Sequence, residues 1–300
     1  MKHGLFTPDG SSSLFSLLTA KIEGSFGLEL TPAAIAELIM QGSVYQAKRR
    51  IKDPGFVPQS AAGEIEIFYP ELPVLPFLLD PGRIAYEDED LLLVDKPGGV
   101  NAAPSPFSDI DCLTHGVQSY LDSPAGQARE SAGYRVSAVH RLDRDTRGLM
   151  FFAKNKSAEL LLHRMFREQR VRRMYLARSP AETGLDKPKV QLHRVRDILE
   201  WRGKSQEAAT TIAWKARAGN HAEGAQDEWM VVPHTGRPHQ IRKHFAKYIA
   251  PICGDRVYAP ELYDRGSHMA LVCVAYRCKH PITERPLHVS LDCTRVFASH

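Results

Sequence analysis

Apolar and polar positions in the first 70 residues predict a small unit of two helices and short strands. Residues 14–22 carry apolar side chains at helical spacing. A second helix is predicted to begin at Pro32, because proline suits the first helical position and the Thr31 hydroxyl can cap the N–H groups of the first turn. Gly42 is predicted to end this helix. Short strands are predicted around residue 44 and over residues 64–68.

From residue 84 onward, β-type runs and helical runs alternate without a regular repeat. Helices are predicted over residues 155–168 and 237–248, and in the first of them Leu160, Leu161 and Met165 are expected to face inward. β-Strands are predicted over residues 84–86, 91–94, 136–140, 149–153, 171–177, 210–216, 229–232, 271–275 and 287–291.

These elements indicate an α+β fold with a mixed, largely antiparallel central sheet flanked by helices. The proline-rich segment 70–76 is predicted to be a linker between a domain of residues 1–75 and a domain of residues 76–300. No run of about 18 apolar residues is present, so no membrane-spanning helix is expected. The N-terminus also has no apolar segment behind its lysine, which a secretory signal needs. The chain is therefore expected in the cytoplasm.

Positive charge is concentrated in the middle of the chain. The formal net charge is only +4. Residues 140–175 nevertheless contain ten Lys or Arg and only four Asp or Glu. Residues 1–80, by contrast, contain six Lys or Arg and nine Asp or Glu. A local excess of this kind suits an anionic polymer, although the exposed face of a helix can produce the same excess.

Cysteine and histidine spacing predicts neither disulfides nor a metal site. The five cysteines are an odd number and include no CxxC pair, which argues against a disulfide framework and against a zinc ribbon. The 13 histidines follow no HExxH or paired Cys/His pattern. We therefore expect no metal.

The first candidate for chemistry is the sequence HRLDRDTRG at residues 140–148, between two predicted strands. Asp143 lies among Arg141, Arg144 and Arg147, and nearby positive charge favours the anionic form of a carboxyl group. A carboxylate of this kind can act as a nucleophile or as a base. The same residues also fit an acidic turn held by surface ion pairs, and this alternative stays open on spacing alone.

Two further motifs combine arginine with residues that suit RNA. RRMY at residues 172–175 opens a predicted strand, and its arginines suit phosphate while Tyr175 suits stacking on a base. HTGRPHQIR at residues 234–242 is a turn that enters a helix, where Thr235 or exposed N–H groups could hold an anion. Arg237 and Arg242 lie five residues apart and are therefore expected to contact different partners.

Together these motifs resemble those of the RluA-type family of pseudouridine synthases, in the family's order and over most of the chain after residue 83. The sequences that carry the resemblance are LLLVDKPGGV (91–100), HRLDRDTRGL (140–149), RRMYLA (172–177), HTGRPHQIRKH (234–244), ICGDRVY (252–258) and CKHP (278–281). The resemblance implies the pseudouridine synthase catalytic fold and an isomerase that acts on RNA without a cofactor.

The resemblance also implies roles for individual residues. Asp143 corresponds to the family's essential aspartate, Tyr175 to the aromatic residue that stacks on uracil, and Arg242 to the ion-pair partner of Asp143. Arg141 corresponds to the residue that enters the RNA where the target base has left the stack. The other residues expected to bind the RNA are Arg144, Arg173, Arg237, His239 and Ile241.

Residues 1–75 resemble a degenerate RNA-binding module of the S4 type, a small α/β domain, on the sequence LTPAAIAELIMQGSVYQ (residues 30–46) and the later Gly63. A module of this kind favours structured ribosomal RNA, most of all that of the large subunit, over transfer RNA as the substrate. We expect a monomer. Two other functions remain open: a catalytically silent RNA-binding protein on the same fold, and a hydrolase that uses His140 with Asp143 or Asp145.

Overall fold

The structure is a computed structural model in which the chain forms two compact units. One unit comprises Met1–Leu79 with Ala103–Ser119, and the other comprises Asp80–Ala102 with Tyr120–His300. The predicted boundary at residue 75 assigned residues 103–119 to the second domain, whereas their contacts group them with the first unit. The residues described are 2–26, 30–69, 74–124, 135–182, 188–218, 224–260, 268–293 and 296–297, so residues 70–73 of the predicted linker lie outside them.

The first unit contains a four-stranded sheet, two complete helices and most of a third. The strand order is β1-β4-β2-β3, and all three pairings are antiparallel. Its core is formed by apolar side chains of both complete helices and of the sheet, among them Leu18, Ile35, Ile39, Val44 and Ile65. The elements are β1 (Lys2–Phe6), α1 (Leu14–Phe26), α2 (Pro32–Met40), β2 (Val44–Gln46), β3 (Arg49–Ile51), a 3₁₀ turn (Ser60–Ala62) and β4 (Ile65–Tyr69).

Helix α2 begins as the sequence predicts. Thr31 is the N-cap, its Oγ1 accepts a hydrogen bond from the Ala34 N–H at 3.2 Å, and Pro32 occupies the first helical position. The N-cap satisfies one of the N–H groups that a helix start leaves without an intrahelical partner. Gly42 follows the helix with φ +83°, a conformation that glycine adopts without steric cost.

The second unit is built on a ten-stranded sheet of order β10-β11-β12-β9-β13-β8-β6-β5, with β14 paired to β13 and β7 to β8. Its strands are β5 (Ile84–Glu87), β6 (Leu91–Lys96), β7 (Ser137–Ala138), β8 (Arg147–Ala153), β9 (Arg172–Pro180), β10 (Leu192–Trp201), β11 (Lys204–Ala218), β12 (Gln226–Pro233), β13 (Leu271–Lys279) and β14 (Pro286–Ser290). Its helices are α4 (Lys156–Arg167) and α5 (Gln240–Tyr248), with a 3₁₀ turn at Pro81–Arg83. Helix α3 (Leu113–Asp122) lies mostly in the first unit.

The predicted fold class is confirmed. Among the described residues, every strand pairing in the large sheet is antiparallel except that of β8 with β13, which is parallel. Strands β6 and β8 lie inside the sheet and are buried along nearly their whole length, as strands covered on both faces are. No helix in the described part of the chain is long and apolar enough to span a membrane.

Helix α4 differs from the prediction in the face that it buries. Asn155 caps the helix, and its Oδ1 accepts a hydrogen bond from the Ala158 N–H at 2.9 Å. The buried stripe is Ala158, Leu162 and Met165, which follow the i, i+4, i+7 spacing of one helix face. The prediction that Leu160 and Leu161 face inward was wrong, because they lie beside that stripe on the exposed side.

Gly148 allows strand β8 to approach β13 closely. It pairs with Cys273, it has φ +107°, and a Cβ atom at this position would lie 2.2 Å from the Cys273 carbonyl oxygen. No residue with a side chain fits such a contact. The loop that carries Asp143 runs directly into this strand, so the close approach fixes one end of that loop against the centre of the sheet.

All five cysteines are free, as the sequence predicts, and three of them are expected to react slowly. Burial raises the pKa of Cys253 and Cys278 to about 11 and that of Cys273 to about 12. Because the thiolate is the reactive form, alkylation of these three at pH ~8 should be roughly two orders of magnitude slower than that of a free cysteine. Mass spectrometry after iodoacetamide treatment of native and urea-unfolded protein measures this. Equal rates in the two states would contradict the prediction.

Candidate active site

Asp143 lies in the loop between β7 and β8, and several backbone contacts hold this loop. The Thr146 N–H donates to the Asp143 carbonyl oxygen at 3.1 Å, which closes a turn around the aspartate. Leu142 beside it is buried, whereas the Asp143 side chain is partly exposed. Two residues on, Asp145 forms an ion pair with Arg256 at 2.9 Å. The loop therefore presents the Asp143 carboxylate rather than that of Asp145.

Lys96 at the end of β6 supports the same loop from inside. Its side chain is fully buried, and Nζ donates to the carbonyl oxygens of Pro97, Val100 and Arg144 at 2.9, 2.7 and 2.8 Å. Three acceptors match the three protons of an ammonium group. Burial opposes the charge and lowers the pKa of Lys96 to about 7, while the carboxylates of Asp145 and Asp143 act in the other direction.

Lys96→Met is expected to lower the free energy of unfolding by about 2–3 kcal/mol, because buried carbonyl groups would lose their donor. An unfolded lysine keeps its proton up to about pH 10. In the folded chain Lys96 releases its proton near pH 7. The unfolded chain therefore binds more protons between these values, so Lys96 makes stability rise with pH in that window. Urea unfolding at several pH values should show that the variant lacks this rise, and exposed Lys156→Met is the control.

Arg242 joins the Asp143 loop to helix α5. Its side chain is 4% exposed, and Nη1 donates to the Asp143 Oδ2 at 3.3 Å. Nε and Nη2 donate to the two carboxylate oxygens of Asp255 at 2.7 and 2.8 Å. This two-point contact fixes the plane of the guanidinium group. Arg242 therefore presents its third nitrogen to Asp143 in a set orientation.

Sequence analysis assigned Asp255 no role of its own, and its bonds to Arg242 were missed. Its carboxylate also accepts hydrogen bonds from the N–H groups of Val257 and Tyr258 at 3.0 and 3.1 Å. Burial by itself raises the pKa of Asp255, but the hydrogen bonds from Arg242 and from these N–H groups outweigh it and hold the pKa below its usual value. No local pattern in the sequence indicates this pairing, because Asp255 and Arg242 belong to different motifs.

A cavity of about 320 Å³ opens beside the Asp143 carboxylate. Its size is at the lower end of that of small-molecule sites. The residues predicted from the sequence that line it are Asp143, Tyr175, Arg242, Arg141, Arg173, Arg237, His239 and Ile241. Arg144 is not among the lining residues, and its Nε donates to the Gly99 carbonyl oxygen at 2.8 Å. Trp201, Arg202 and Gln240 also line the cavity and were not predicted as binding residues, and Thr235, predicted as a possible anion ligand, lines it as well.

Tyr175 lies on β9, where it pairs with Val231 of β12 and Cys273 of β13. Its side chain is only 5% exposed although it lines the cavity. Burial raises the pKa of the Tyr175 hydroxyl well above its ordinary value, and the neighbouring Cys273 adds to this. Tyr175 is therefore neutral and offers the cavity a fixed aromatic surface.

His239 is placed by an unusual backbone conformation at the start of α5. It is the residue before the helix and has φ +54°, in the left-handed region. Its Nε2 lies 3.9 Å from the Asp143 Oδ2, and its Nδ1 lies 3.1 Å from the Tyr258 hydroxyl. Desolvation lowers the pKa of His239, against the opposing effect of Asp143. His239 is therefore mainly neutral at pH 7.

The turn before α5 is held by a side-chain network rather than left open for an anion. The Gln240 Oε1 accepts hydrogen bonds from the Thr235 hydroxyl at 2.6 Å and from the Arg237 N–H at 3.0 Å. The Thr235 Oγ1 in turn accepts from the Ala209 N–H at 3.1 Å. The Thr235 hydroxyl and the Arg237 N–H therefore already have hydrogen-bond partners within the chain. The expectation that Thr235 holds an anion at the helix N-terminus does not fit these contacts.

A second, larger groove of about 780 Å³ adjoins the cavity and shares Arg141, Arg173 and Arg237 with it. Its other charged residues are Arg167, at the end of α4, and Arg172 on β9. None of the described residues that line it is acidic. The positive charge that the sequence places between residues 140 and 175 therefore borders the site, where an anionic polymer can be held.

Among the described residues, one group has the composition of a metal site, namely Asp88, Asp90 and His280. The His280 Nδ1 accepts hydrogen bonds from the N–H groups of Ile282 and Thr283 at 3.3 and 3.1 Å, so the proton of the neutral ring is on Nε2. Nε2 faces the Asp88 carboxylate at 3.0 Å. A protonated nitrogen cannot ligate a metal, so the geometry fits an Asp–His contact. None of the three residues lines the cavity.

Comparison with known proteins places this site in a family. Residues 90–247 match the family model described as RNA pseudouridylate synthase. A dual-specificity RNA pseudouridine synthase RluA from Vibrio vulnificus is 32% identical over 59% of this chain and 69% of its own length. A tRNA pseudouridine synthase C from Pasteurella multocida is 29% identical over 69% of this chain and 89% of its own length.

Among solved structures, human RNA pseudouridylate synthase domain containing 1 shares the fold. The TM-score is 0.55 at 21% identity, over 71% of this chain and 86% of the human chain. The region that the family model matches includes the loop of Asp143, the strand of Tyr175 and helix α5 up to Lys247. The chain therefore belongs to the RluA-type family of RNA pseudouridine synthases, the isomerases that convert uridine in RNA to pseudouridine.

Proposed function

We propose that this chain, acting without a cofactor in the cytoplasm, isomerises a specific uridine of structured RNA, with Asp143 as the carboxylate that acts at the sugar. The observation that carries the proposal is the 3.3 Å contact of Arg242 Nη1 with Asp143 Oδ2 at the edge of a cavity that Tyr175 also lines. Carboxylate, fixed guanidinium and aromatic ring thus lie around one space. A silent RNA-binding protein would not need all three together.

In this reaction the bond between uracil N1 and the sugar C1′ breaks, the base rotates, and a bond forms from C5 to C1′. The proton on C5 is lost and N1 gains one, so atoms and charge balance without an external reactant. Asp143 acts either as a nucleophile at C1′ or as a base that removes a proton from the sugar. The residues present are compatible with both routes.

The target uridine must first leave its stack, because an enzyme cannot reach the reacting atoms inside a helix. The groove beside the cavity supports this step. Arg167 and Arg172 line the groove, and Arg237 lines both the groove and the cavity, so the phosphates that flank an everted uridine can be held there. Arg141 lines both spaces and fits the gap that the base leaves in the RNA.

The first choice of substrate is ribosomal RNA of the large subunit, and transfer RNA is the alternative. The S4-like interpretation of the first unit supports ribosomal RNA. In that unit Lys48 and Arg49 are exposed at the β2–β3 hairpin, although Arg50 donates to the Ser105 carbonyl oxygen and Lys52 pairs with Asp109. The similarity to a tRNA pseudouridine synthase supports the alternative. We propose a monomer as the active form.

Pseudouridine mapping tests this function. Total RNA from cells that lack the protein is incubated with the purified protein, and carbodiimide adducts of pseudouridine are located by primer extension. A new stop in large-subunit ribosomal RNA supports the first choice, and a stop in transfer RNA supports the alternative. If ribosomal and transfer RNA both show no new pseudouridine relative to heat-inactivated protein, the proposed activity is wrong.

The hydrolase alternative loses support from the position of His140. Its Nε2 accepts a hydrogen bond from the Phe151 N–H at 3.0 Å, and its ring stacks on Phe166 at 4.5 Å. Burial lowers the pKa of His140 to about 3, so this nitrogen is a weak base. His140 is also absent from the residues that line the cavity of Asp143. His140 thus anchors the start of the loop to β8 and α4 and does not activate a nucleophile.

A further inference from the structure

Trp201 stands at the rim of the catalytic cavity, on an element that sequence analysis did not identify. It is the last residue of β10 and pairs with Lys204, so β10 and β11 are joined by the two-residue turn Arg202-Gly203. Both turn residues have positive φ, +50° and +73°, as the tight hairpin turns that suit twisted strands require. This turn places Trp201 and Arg202 among the residues that line the cavity.

Helix α5 fixes the hairpin in this position through contacts along its length. Lys243 Nζ donates to the Glu200 carbonyl oxygen at 2.6 Å, immediately before Trp201. Further along the helix, Lys247 and Tyr248 both donate to the Asp197 carboxylate, at 2.8 and 3.0 Å. Helix α5 therefore holds the end of the hairpin, and the same helix carries Arg242, the residue that contacts Asp143.

The indole of Trp201 is held in place but not covered. Its ring lies 5.1 Å from the His239 ring, and Lys243 Nζ lies 5.5 Å from the centre of the Trp201 ring. Even so, the residue remains 38% exposed, whereas Tyr175 in the same cavity is 5% exposed. Tryptophan side chains are highly buried on average, so this exposure leaves part of the Trp201 ring open to a partner. Tyr175 is thus the inner aromatic surface and Trp201 the outer one.

We infer that Trp201 is a stacking platform for a second, unpaired nucleobase of the RNA, a neighbour of the everted uridine, and that Arg202 binds the phosphate of that nucleotide. Exposed aromatic side chains beside arginine bind single-stranded RNA in this way, since every base has a π-face. Among the described residues Arg202 has no acidic partner, so its charge can serve a phosphate. The inference rests on the proposed function and extends it to a binding subsite for the flanking nucleotide.

Tryptophan fluorescence tests base stacking directly and without turnover. The probes are a ten-residue oligouridylate and a chain of equal length whose residues lack bases, so both carry the same phosphates. The chain has three tryptophans, and Trp201→Phe isolates the signal of Trp201 from those of Trp214 and Trp229. We expect the oligouridylate to quench the Trp201 signal and the abasic chain to leave it unchanged. Equal quenching by both probes, or quenching by neither, would overturn the inference.

Variants of Trp201 then measure how much base stacking contributes to RNA affinity. Trp201→Leu is expected to weaken oligouridylate binding about 5- to 150-fold, the range for loss of one base–aromatic stack. Trp201→Phe, which keeps an aromatic ring, should lose less. On the RNA found by pseudouridine mapping, Trp201→Leu should raise KM and leave kcat nearly unchanged, because a flanking base is bound equally before and during the reaction.

Ile198→Ala is the matched control, since Ile198 is 64% exposed on the other face of the same strand and does not line the cavity. It should bind oligouridylate as the unchanged chain does. If Ile198→Ala weakens oligouridylate binding as much as Trp201→Leu does, the loss of affinity reflects disturbed packing of the hairpin, and the inference is wrong. If the protein makes no pseudouridine but oligouridylate alone quenches the Trp201 signal, the subsite is retained and only the proposed activity is wrong.

Discussion

Asp143→Asn is expected to lower the rate of pseudouridine formation by at least about 10⁴-fold, the size of effect seen when an enzyme loses its reacting group. The amide has the shape of the carboxylate but is neither a nucleophile nor a base under these conditions. Its oxygen can still accept the hydrogen bond that Arg242 Nη1 donates to the aspartate at 3.3 Å. We therefore expect RNA affinity, measured by filter binding, to change by no more than a few-fold.

Asp145→Asn is the matched control for this experiment. Asp145 lies two residues away in the same loop, but it pairs with Arg256 at 2.9 Å and does not line the cavity. Loss of this partly exposed ion pair should cost at most about 1 kcal/mol of stability and leave turnover nearly unchanged. Normal turnover by Asp143→Asn would remove Asp143 from the chemistry, and equal losses in both variants would point to general damage of the loop.

Local signals in the sequence predicted those parts of the fold that depend on local chemistry. The start of α2 follows from Thr31 and Pro32, since a cap is recognised from a few neighbouring residues. For α4 the sequence offered both Asn155 and Ser157 as the cap, and the structure uses Asn155. Strands β6 and β8 were predicted because a run of buried apolar residues stands out against its surroundings.

Strand β10 was missed because it lies at the edge of the large sheet. Only Val195 and Leu199 are buried among its ten residues, and the exposed positions mix charged with apolar side chains, namely Leu192, Arg194, Arg196, Ile198, Glu200 and Trp201. Charges at an edge prevent pairing with other chains, but they also hide the strand from a search for apolar alternation. The hairpin end that carries Trp201 and Arg202 was lost with it, so two residues of the cavity rim had no signal in the sequence.

Contacts between distant motifs were the other part that the sequence alone could not supply. The pairing of Arg242 with Asp143 came from family resemblance, because 99 residues separate them and nothing local joins the two. The bidentate contact of Arg242 with Asp255 had no such support and was missed. A buried charge needs a partner, so a fully buried arginine predicts that a second acidic residue exists without identifying it.

Arg242→Met is expected to lower the free energy of unfolding by about 3–5 kcal/mol, because it leaves the buried Asp255 carboxylate without its charged partner. The variant should also lose pseudouridine formation, since Asp143 loses the donor that orients it. Urea unfolding followed by circular dichroism measures the first effect. Arg164→Met provides the comparison, as the exposed Arg164–Glu168 pair on α4 should contribute little to stability because solvent screens it.

A second substitution separates the effect on stability from the effect on catalysis. Asp255→Asn removes the buried charge but keeps an oxygen for the N–H groups of Val257 and Tyr258. Added to Arg242→Met, it should restore part of the lost stability, so the double variant is more stable than the sum of the two single losses predicts. Pseudouridine formation should stay low in the double variant, because Asp143 still lacks its partner. Recovery of activity together with stability would show that Arg242 serves only the fold.

The pH dependence of Arg242→Met provides an independent check. In the unchanged chain, burial raises the pKa of Asp255 but Arg242 and two N–H groups outweigh it, so the pKa lies below its usual value. Without Arg242 the effect of burial gains weight and the pKa of Asp255 rises, so the folded variant takes up a proton at a higher pH than the unfolded chain does. Protonation then favours the folded state as pH falls. The stability deficit of the variant should therefore shrink as the pH falls from neutral, and a constant deficit would mean that the unpaired Asp255 charge is not its cause.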